Sequence, residues 1–338
     1  MHYNFKNLVF EGEGVRGLAY AGALFSLDER GILSGIKRCA GTSTGALTAM
    51  MVCLGYSPEE IISTMFETDF AALRDRSRRR EQDILRLVTR YGWYSGKRLH
   101  DWIRTLVEKK TGNRNITFAE LKLSRKFRDL FVIGANLSTH FAEVYSFEHT
   151  PMFRVADAVR ISVSLPFLFA SRHNASGDIM VDGGLLDNYP VRIFDRKRYI
   201  RDGFKLTRYY EDFNEGLRQR GEKTELEWVH NNETLGFRVD TRDEIAAFRD
   251  GIAPVANKIT NIVDFSWHMI LSMLNTQNQR HLNSDDWQRT VYISTCGINA
   301  FNFRITDNEK ARLVKSGLEY TEKYFEWYDS AMAESEEQ

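Results

Sequence analysis

Apolar residues recur along this chain with two periods, and the periods alternate. Residues 7–11 (NLVFE) are a short apolar run that predicts a buried strand. Residues 17–30 follow with Leu18, Ala21, Ala23, Leu24 and Leu27 at helical spacing and Gly31 as a stop. Residues 37–42 predict a second short strand, and 46–54 an apolar helix packed inside. Ser57-Pro58-Glu59-Glu60 reads as a helix start, with proline at the first helical position and acids in the first turn. Residues 96–110 are amphipathic, and 130–138 and 141–147 predict adjacent strands. A short helix over 155–163 is closed by Pro166, and "DIMVDGG" (178–184) is a strand running into a glycine turn.

The second half is less regular. Residues 192–232 are polar and charged and predict a surface excursion. "TLGFRVD" (234–240) and "TVYIST" (290–295) predict strands, and 256–274 carries apolar residues at helical spacing. Residues 306–328 predict a final helix with a capping box at Thr306 and Glu309, and the acidic tail 331–338 is expected to fray. Alternating strands and helices place the chain in the α/β class, a sandwich around a mixed sheet. No internal repeat, low-complexity block or Pro/Gly linker interrupts it, so one domain is expected over 1–330.

Composition narrows the function. With 338 residues, 43% of them hydrophobic, the chain can bury a large core. Lysine plus arginine equals aspartate plus glutamate, 46 each, which argues against nucleic acid as a partner. Three cysteines, Cys39, Cys53 and Cys296, without C-x-x-C spacing suggest reduced thiols rather than a disulfide framework or a zinc site. The first residues lack a basic-then-apolar signal pattern, and no run of about 18 apolar residues occurs. The expected location is therefore cytoplasmic or peripheral to a membrane; secretion without a cleaved signal is compatible with the same features. One stretch bears on membranes: residues 73–94 carry seven arginines against three acids, with Ile84, Leu85, Leu87 and Val88 on one helical face. Such a helix either rests transiently on anionic lipid or folds over the core.

Three short motifs carry the candidate chemistry. Gly12, Gly14 and Gly17 in "GEGVRG" fit G-x-G-x-x-G, the dinucleotide phosphate loop. That reading needs a carboxylate about 20 residues on; the second strand ends instead in Ala40-Gly41-Thr42-Ser43. What stands there is "GTSTG", Gly41 to Gly45, the G-x-S-x-G of a nucleophile elbow, in which small residues let the chain turn sharply and project a serine at a helix N-terminus. A serine nucleophile needs a base. None of the eight histidines stands in a setting that marks it as one. The more distinctive acid is Asp182, at the end of an apolar strand before Gly183 and Gly184. It either takes the serine proton directly or is a turn aspartate bonded to its own backbone.

Together, Gly12-Glu13-Gly14-Val15-Arg16-Gly17, Gly41-Thr42-Ser43-Thr44-Gly45 and Asp182-Gly183-Gly184, each closing a predicted strand, resemble the patatin-like phospholipases, serine acyl hydrolases with a Ser–Asp dyad. "ISVSLPFLFAS" (161–171) resembles the segment before that family's D-G-G strand, and residues 301–325 its terminal strand and helix. The resemblance implies a three-layer αβα sandwich around a mixed, mostly parallel sheet. Ser43 is then the nucleophile and Asp182 the general base. The backbone of Gly12, Glu13, Gly14 and Val15 becomes an oxyanion hole, supported by Arg16, Gly17, Gly41, Gly45, Gly183 and Gly184. The expected substrate is a phospholipid or lysophospholipid, without calcium or another cofactor. Leu165, Phe167, Leu168 and Phe169 are candidates for an acyl pocket. The pattern's middle glycine is Glu13 here, which raises three questions: a left-handed backbone, repulsion of an oxyanion, and a weakly catalytic lipid-binding scaffold. Acyl transfer and hydrolysis of neutral lipids or thioesters are further uses of the same dyad.

Overall fold

The structure, a computed structural model, describes residues 3–75, 77, 79–200, 204–240, 259, 268–269, 272–273 and 285–336. Its elements in chain order are β1 (Asn7–Phe10), α1 (Ala19–Glu29), α2 (Ile32–Gly35), β2 (Arg38–Thr42), α3 (Thr44–Cys53), α4 (Pro58–Glu67), α5 (Arg80–Arg90), β3 (Gly92–Tyr94), α6 (Lys97–Thr111), α7 (Phe118–Leu123), β4 (Asp129–Asn136), β5 (Phe141–Tyr145), α8 (Val155–Ser162), β6 (Phe167–Phe169), β7 (Arg172–His173), β8 (Ile179–Asp182), α9 (Arg208–Gln219), β9 (Thr234–Asp240), β10 (Thr290–Ser294) and α10 (Asp307–Glu336). The helix start expected at Ser57 is closed by a capping box with Glu60, and the capping box expected at Thr306 forms with Glu309.

One mixed sheet organises the molecule, in the order β10-β9-β1-β2-β4-β8-β7, with β5 also on β4. The run from β10 to β4 is parallel, while β5 and β8 are antiparallel to β4. Strand periodicity sends alternate residues to opposite faces. Leu8, Phe10, Cys39, Leu130 and Val132 enter one apolar layer with α1 and α3; Val9, Ala40 and Phe131 enter the other with Tyr189, Val191, Phe194 and Tyr199. Both faces are covered, as a parallel sheet requires, and the architecture is an αβα sandwich.

Three sequence expectations are corrected here, and a fourth falls largely outside the described residues. Residues 192–232 are not merely an excursion: Phe194, Tyr199, Tyr210 and Val229 are buried, and the segment covers the second sheet face. Its polar composition hides this because few large aromatics suffice to seal the layer. Residues 301–305 form turns rather than a terminal strand. The acidic tail continues α10 to Glu336 instead of fraying. The helix expected over 256–274 lies largely outside the described residues. Among the described residues no helix is long and apolar enough to cross a membrane.

Candidate active site

The carboxyl ends of β1, β2 and β8 converge. Between β2 and α3 the chain turns at Ser43, whose backbone sits at φ 53°, ψ −125°, a strained region for a residue with a side chain. The turn presses the chain on itself. A Cβ on Gly41 would lie 2.4 Å from the Gly45 carbonyl, and one on Gly45 2.2 Å from the Phe10 carbonyl oxygen. The Ser43 N–H donates to Ser162 Oγ at 2.8 Å, and that hydroxyl donates to the Ile133 carbonyl at 2.6 Å, tying the elbow to β4.

Asp182, 2% exposed, ends β8. Its Oδ2 accepts from Ser43 Oγ at 2.7 Å, and its Oδ1 from the Gly184 N–H at 2.8 Å. The second bond is the Asx-type contact of a turn aspartate, and it coexists with the first, which puts the other carboxylate oxygen within hydrogen-bond reach of Ser43. Burial pushes the carboxyl up to about 7, opposed by the bonds from Gly184 and Ser43. Among the described residues no histidine lines the cavity at Ser43. His100 pairs with Asp157 at 2.8 Å and His149 bonds Ser146 at 2.8 Å.

The glycine loop offers fewer free donors than its sequence suggests. The Gly12 N–H donates to the Asn188 carbonyl (3.1 Å), that of Glu13 to Thr44 Oγ1 (3.1 Å) and that of Val15 to the Ala300 carbonyl (2.8 Å). Gly14, at φ +54°, stands outside these bonds and lines the cavity beside Ser43. Thr44 also lines it, at the first position of α3, where an N–H has no acceptor in its own helix. The candidate oxyanion donors therefore narrow to Gly14 and Thr44, with the α3 dipole behind the latter. Asn188 clamps the loop, since its Nδ2 also donates to the Gly12 carbonyl at 3.1 Å. Ser162 and Asn188 were missed in the sequence because each acts across the fold; the only signal was that Ser162 lies within the 161–171 segment and Asn188 follows the D-G-G turn by four residues.

Glu13 does not take the left-handed conformation: its φ is −137°, and the positive φ falls one residue later. Its carboxylate lies 3.4 Å from Arg16 Nη1, and Arg16 Nε donates to the Ile298 carbonyl at 2.7 Å. Arg16 thus braces the loop against the segment before α10, with Gly17 in the same 3-10 turn. Glu13→Gly is accordingly expected to leave kcat for a p-nitrophenyl ester within about threefold and to lower thermal stability slightly, through the lost ion pair and added backbone freedom. A fall in kcat of two or more orders of magnitude in a folded protein would mean that the carboxylate takes part in chemistry.

The cavity at Ser43 is apolar, about 90 Å³ in volume. Of the acyl-pocket candidates, Leu165, Leu168 and Phe169 line it, joined by Leu47, Phe70, Leu73, Leu99, Trp102, Val163, Phe301 and Phe303. Phe167 does not: it is 47% exposed, at φ 64°. Ligand pockets commonly hold roughly 300–1,000 Å³, so a long chain fits only if part of this wall yields. Elsewhere Asp195, His230 and Asp286 cluster with ligand atoms within 4.8 Å. The Arg289 guanidinium already occupies that cluster, 2.6 Å from Asp195 and from Asp286, which makes it a buried ion network.

Residues 8–195 match the family model described as patatin-like phospholipase. The uncharacterized protein R571 of Acanthamoeba polyphaga mimivirus is 32% identical over 191 residues, 56% of this chain; the match spans 61% of that protein. The uncharacterized protein YqhO of Bacillus subtilis is 27% identical over 329 residues, 94% of this chain and 96% of its own length. The Lysophospholipase NTE1 of Candida glabrata is 27% identical over 189 residues, 54% of this chain and 9% of that protein. The crystal structure of VipD from Legionella pneumophila superposes with a TM-score of 0.57 at 19% identity, over 96% of this chain and 67% of that one, a likeness of fold.

Proposed function

We propose, for a chain that belongs to the patatin-like phospholipase family, hydrolysis of fatty-acyl esters of phospholipids or lysophospholipids by a Ser43–Asp182 dyad. The observation that carries the reading is the 2.7 Å bond from Ser43 Oγ to a buried carboxylate, beside an apolar cavity and unengaged N–H groups. In the proposed sequence Asp182 takes the Ser43 proton as Oγ attacks the ester carbonyl. The developing oxyanion is met by the N–H groups of Gly14 and Thr44. Collapse expels the alcohol, which recovers the proton from Asp182. A water deprotonated by Asp182 then cleaves the acyl-enzyme. The same acyl-enzyme is open to other acceptors and to thioesters, but no separate feature of the cavity favours those uses. The pairing of Glu13 with Arg16 counts against reading the chain as an inactive scaffold.

The pH profile tests this assignment. A general base works only when ionised, and burial pushes Asp182 up to about 7. The rate constant kcat/KM should rise about tenfold per unit below pH 7 and level off above it. Asp187, also pushed up to about 7 by burial, has no bond to Ser43, so Asp187→Asn should leave this limb in place. A flat profile between pH 5 and 9, or a limb lost with Asp187→Asn, would contradict the assignment.

A further inference from the structure

A second cavity, about 490 Å³, adjoins the acyl cavity. Three segments serve both: Leu73, Leu99 and Phe169 face the apolar one, while Asp75, Lys97 and Ala170 line the other. The second is cationic. Arg86, Arg90, Lys97 and Arg172 line it, and among the described residues the last three form no ion pair. Its one acid, Asp75, is committed to the amino end of α6, accepting from the N–H of Gly96 at 2.7 Å and of Lys97 at 2.9 Å. Beneath the wall Arg160, 1% exposed, donates to the carbonyls of Ser95, Gly96 and Ala170 and to Ser164 Oγ, and among the described residues no carboxylate accepts from it. Arg86 is paired with Asp83 at 2.9 Å and Asp157 feels the charge of Arg172 at longer range, yet the cations around this cavity outnumber the acids.

The rim is apolar. On α5, Leu85 is 63% and Val88 68% exposed, so this helix does not bury the face expected from its sequence. Tyr91 and Phe167, both exposed and both at positive φ, are joined by a 2.9 Å bond from the Phe167 N–H to the Tyr91 carbonyl. Large side chains held exposed at a strained backbone need a use that outweighs the strain. Unneutralised cations inside a cavity and apolar side chains around it match a phosphate at the bilayer surface above acyl chains.

We propose that this cavity binds the phosphate of an anionic phospholipid in a membrane, docking the protein with the acyl cavity against the bilayer. The proposal deepens the lipid-hydrolase reading and rests on it for its purpose, but its test needs no turnover. Ser43→Ala protein is sedimented with vesicles of phosphatidylcholine, with and without phosphatidylglycerol. Partition should be at least tenfold stronger with phosphatidylglycerol. Adding Arg90→Gln, Lys97→Gln and Arg172→Gln, all exposed and so tolerant of change, should lower it on the order of a hundredfold, about fivefold per charge. Leu85→Ser with Val88→Ser should weaken binding to both vesicle types. Equal partition into the two vesicle types overturns the proposal, as does undiminished binding by the folded triple variant or, should that variant not fold, by Arg172→Gln alone. A thermal shift with inorganic phosphate, lost in the triple variant and unaccompanied by vesicle binding, also overturns it, in favour of a free phosphate ligand. Vesicle binding as expected, with no ester hydrolysis by the parent protein, leaves this proposal standing and removes the hydrolase reading instead.

Discussion

Asp182→Asn is expected to abolish ester hydrolysis while making the fold more stable at alkaline pH. The amide keeps both contacts of the carboxylate: its oxygen accepts from the Gly184 N–H, and its Nδ2 donates to Ser43 Oγ, where the parent oxygen accepted. It cannot take a proton from Ser43, so kcat should fall by roughly two to four orders of magnitude, the usual worth of general-base catalysis. Stability moves the other way. Burial raises the folded pKa of Asp182 to about 7 from the 3.8 of an ordinary aspartate. Between those values the native state holds a proton that the unfolded state has released, so the stability from this group is full below about pH 4 and is lost as pH rises through 7. Above pH 7 the parent protein carries a buried charge and the variant does not. Thermal unfolding at pH 8 should therefore occur several degrees higher in Asp182→Asn, with the gap closing toward pH 4. Equal midpoints at pH 8 would mean that the carboxylate is not held at this elevated pKa, and retained turnover would mean that it is not the base.

Ser43→Ala is expected to show the largest loss of activity, at least three orders of magnitude in kcat, with folding intact. The nucleophilic oxygen is gone, while the void left is a single hydroxyl's. The backbone strain stays, because alanine keeps the Cβ at φ 53°. Ser43→Gly should be equally inactive and more stable than Ser43→Ala, since glycine reaches that region without a steric cost of order 1–3 kcal/mol. An alanine variant with parental turnover of a p-nitrophenyl ester would remove Ser43 from the reaction. Glycine and alanine variants of equal stability would show that the elbow is relaxed rather than strained.

What was legible in the sequence was local. The strands beside the site read clearly because both faces of a parallel sheet demand apolar runs, and the elbow read clearly because two glycines must flank a turn that tight. The Ser43–Asp182 pairing followed from motif order and from a family resemblance, with no periodicity behind it. Long-range hydrogen bonding was not legible. Nothing near Gly12 or Val15 announces that their N–H groups are taken by Asn188 and Ala300. The consequence of Glu13 stayed open in the sequence for a similar reason: the left-handed residue is its neighbour, and its charge is met by Arg16. The layer at 192–232 was obscured by its polar residues, several of them buried themselves, such as Asp195, Asn214 and Asn231, around a few buried aromatics. The α5 helix read as amphipathic, yet only the structure leaves its apolar face uncovered, with cations collected beside it from α6 and β7.

The central claim is that Ser43, deprotonated by Asp182, is the nucleophile. It is tested most directly by peptide mass mapping after treatment with a fluorophosphonate at pH 8, alongside the residual rate of ester hydrolysis. The expected result is a single adduct on Ser43, formed in step with the loss of hydrolysis, absent from Ser43→Ala and strongly slowed in Asp182→Asn. Loss of hydrolysis with the adduct on another residue, or full hydrolysis with Ser43 carrying the adduct, would contradict it.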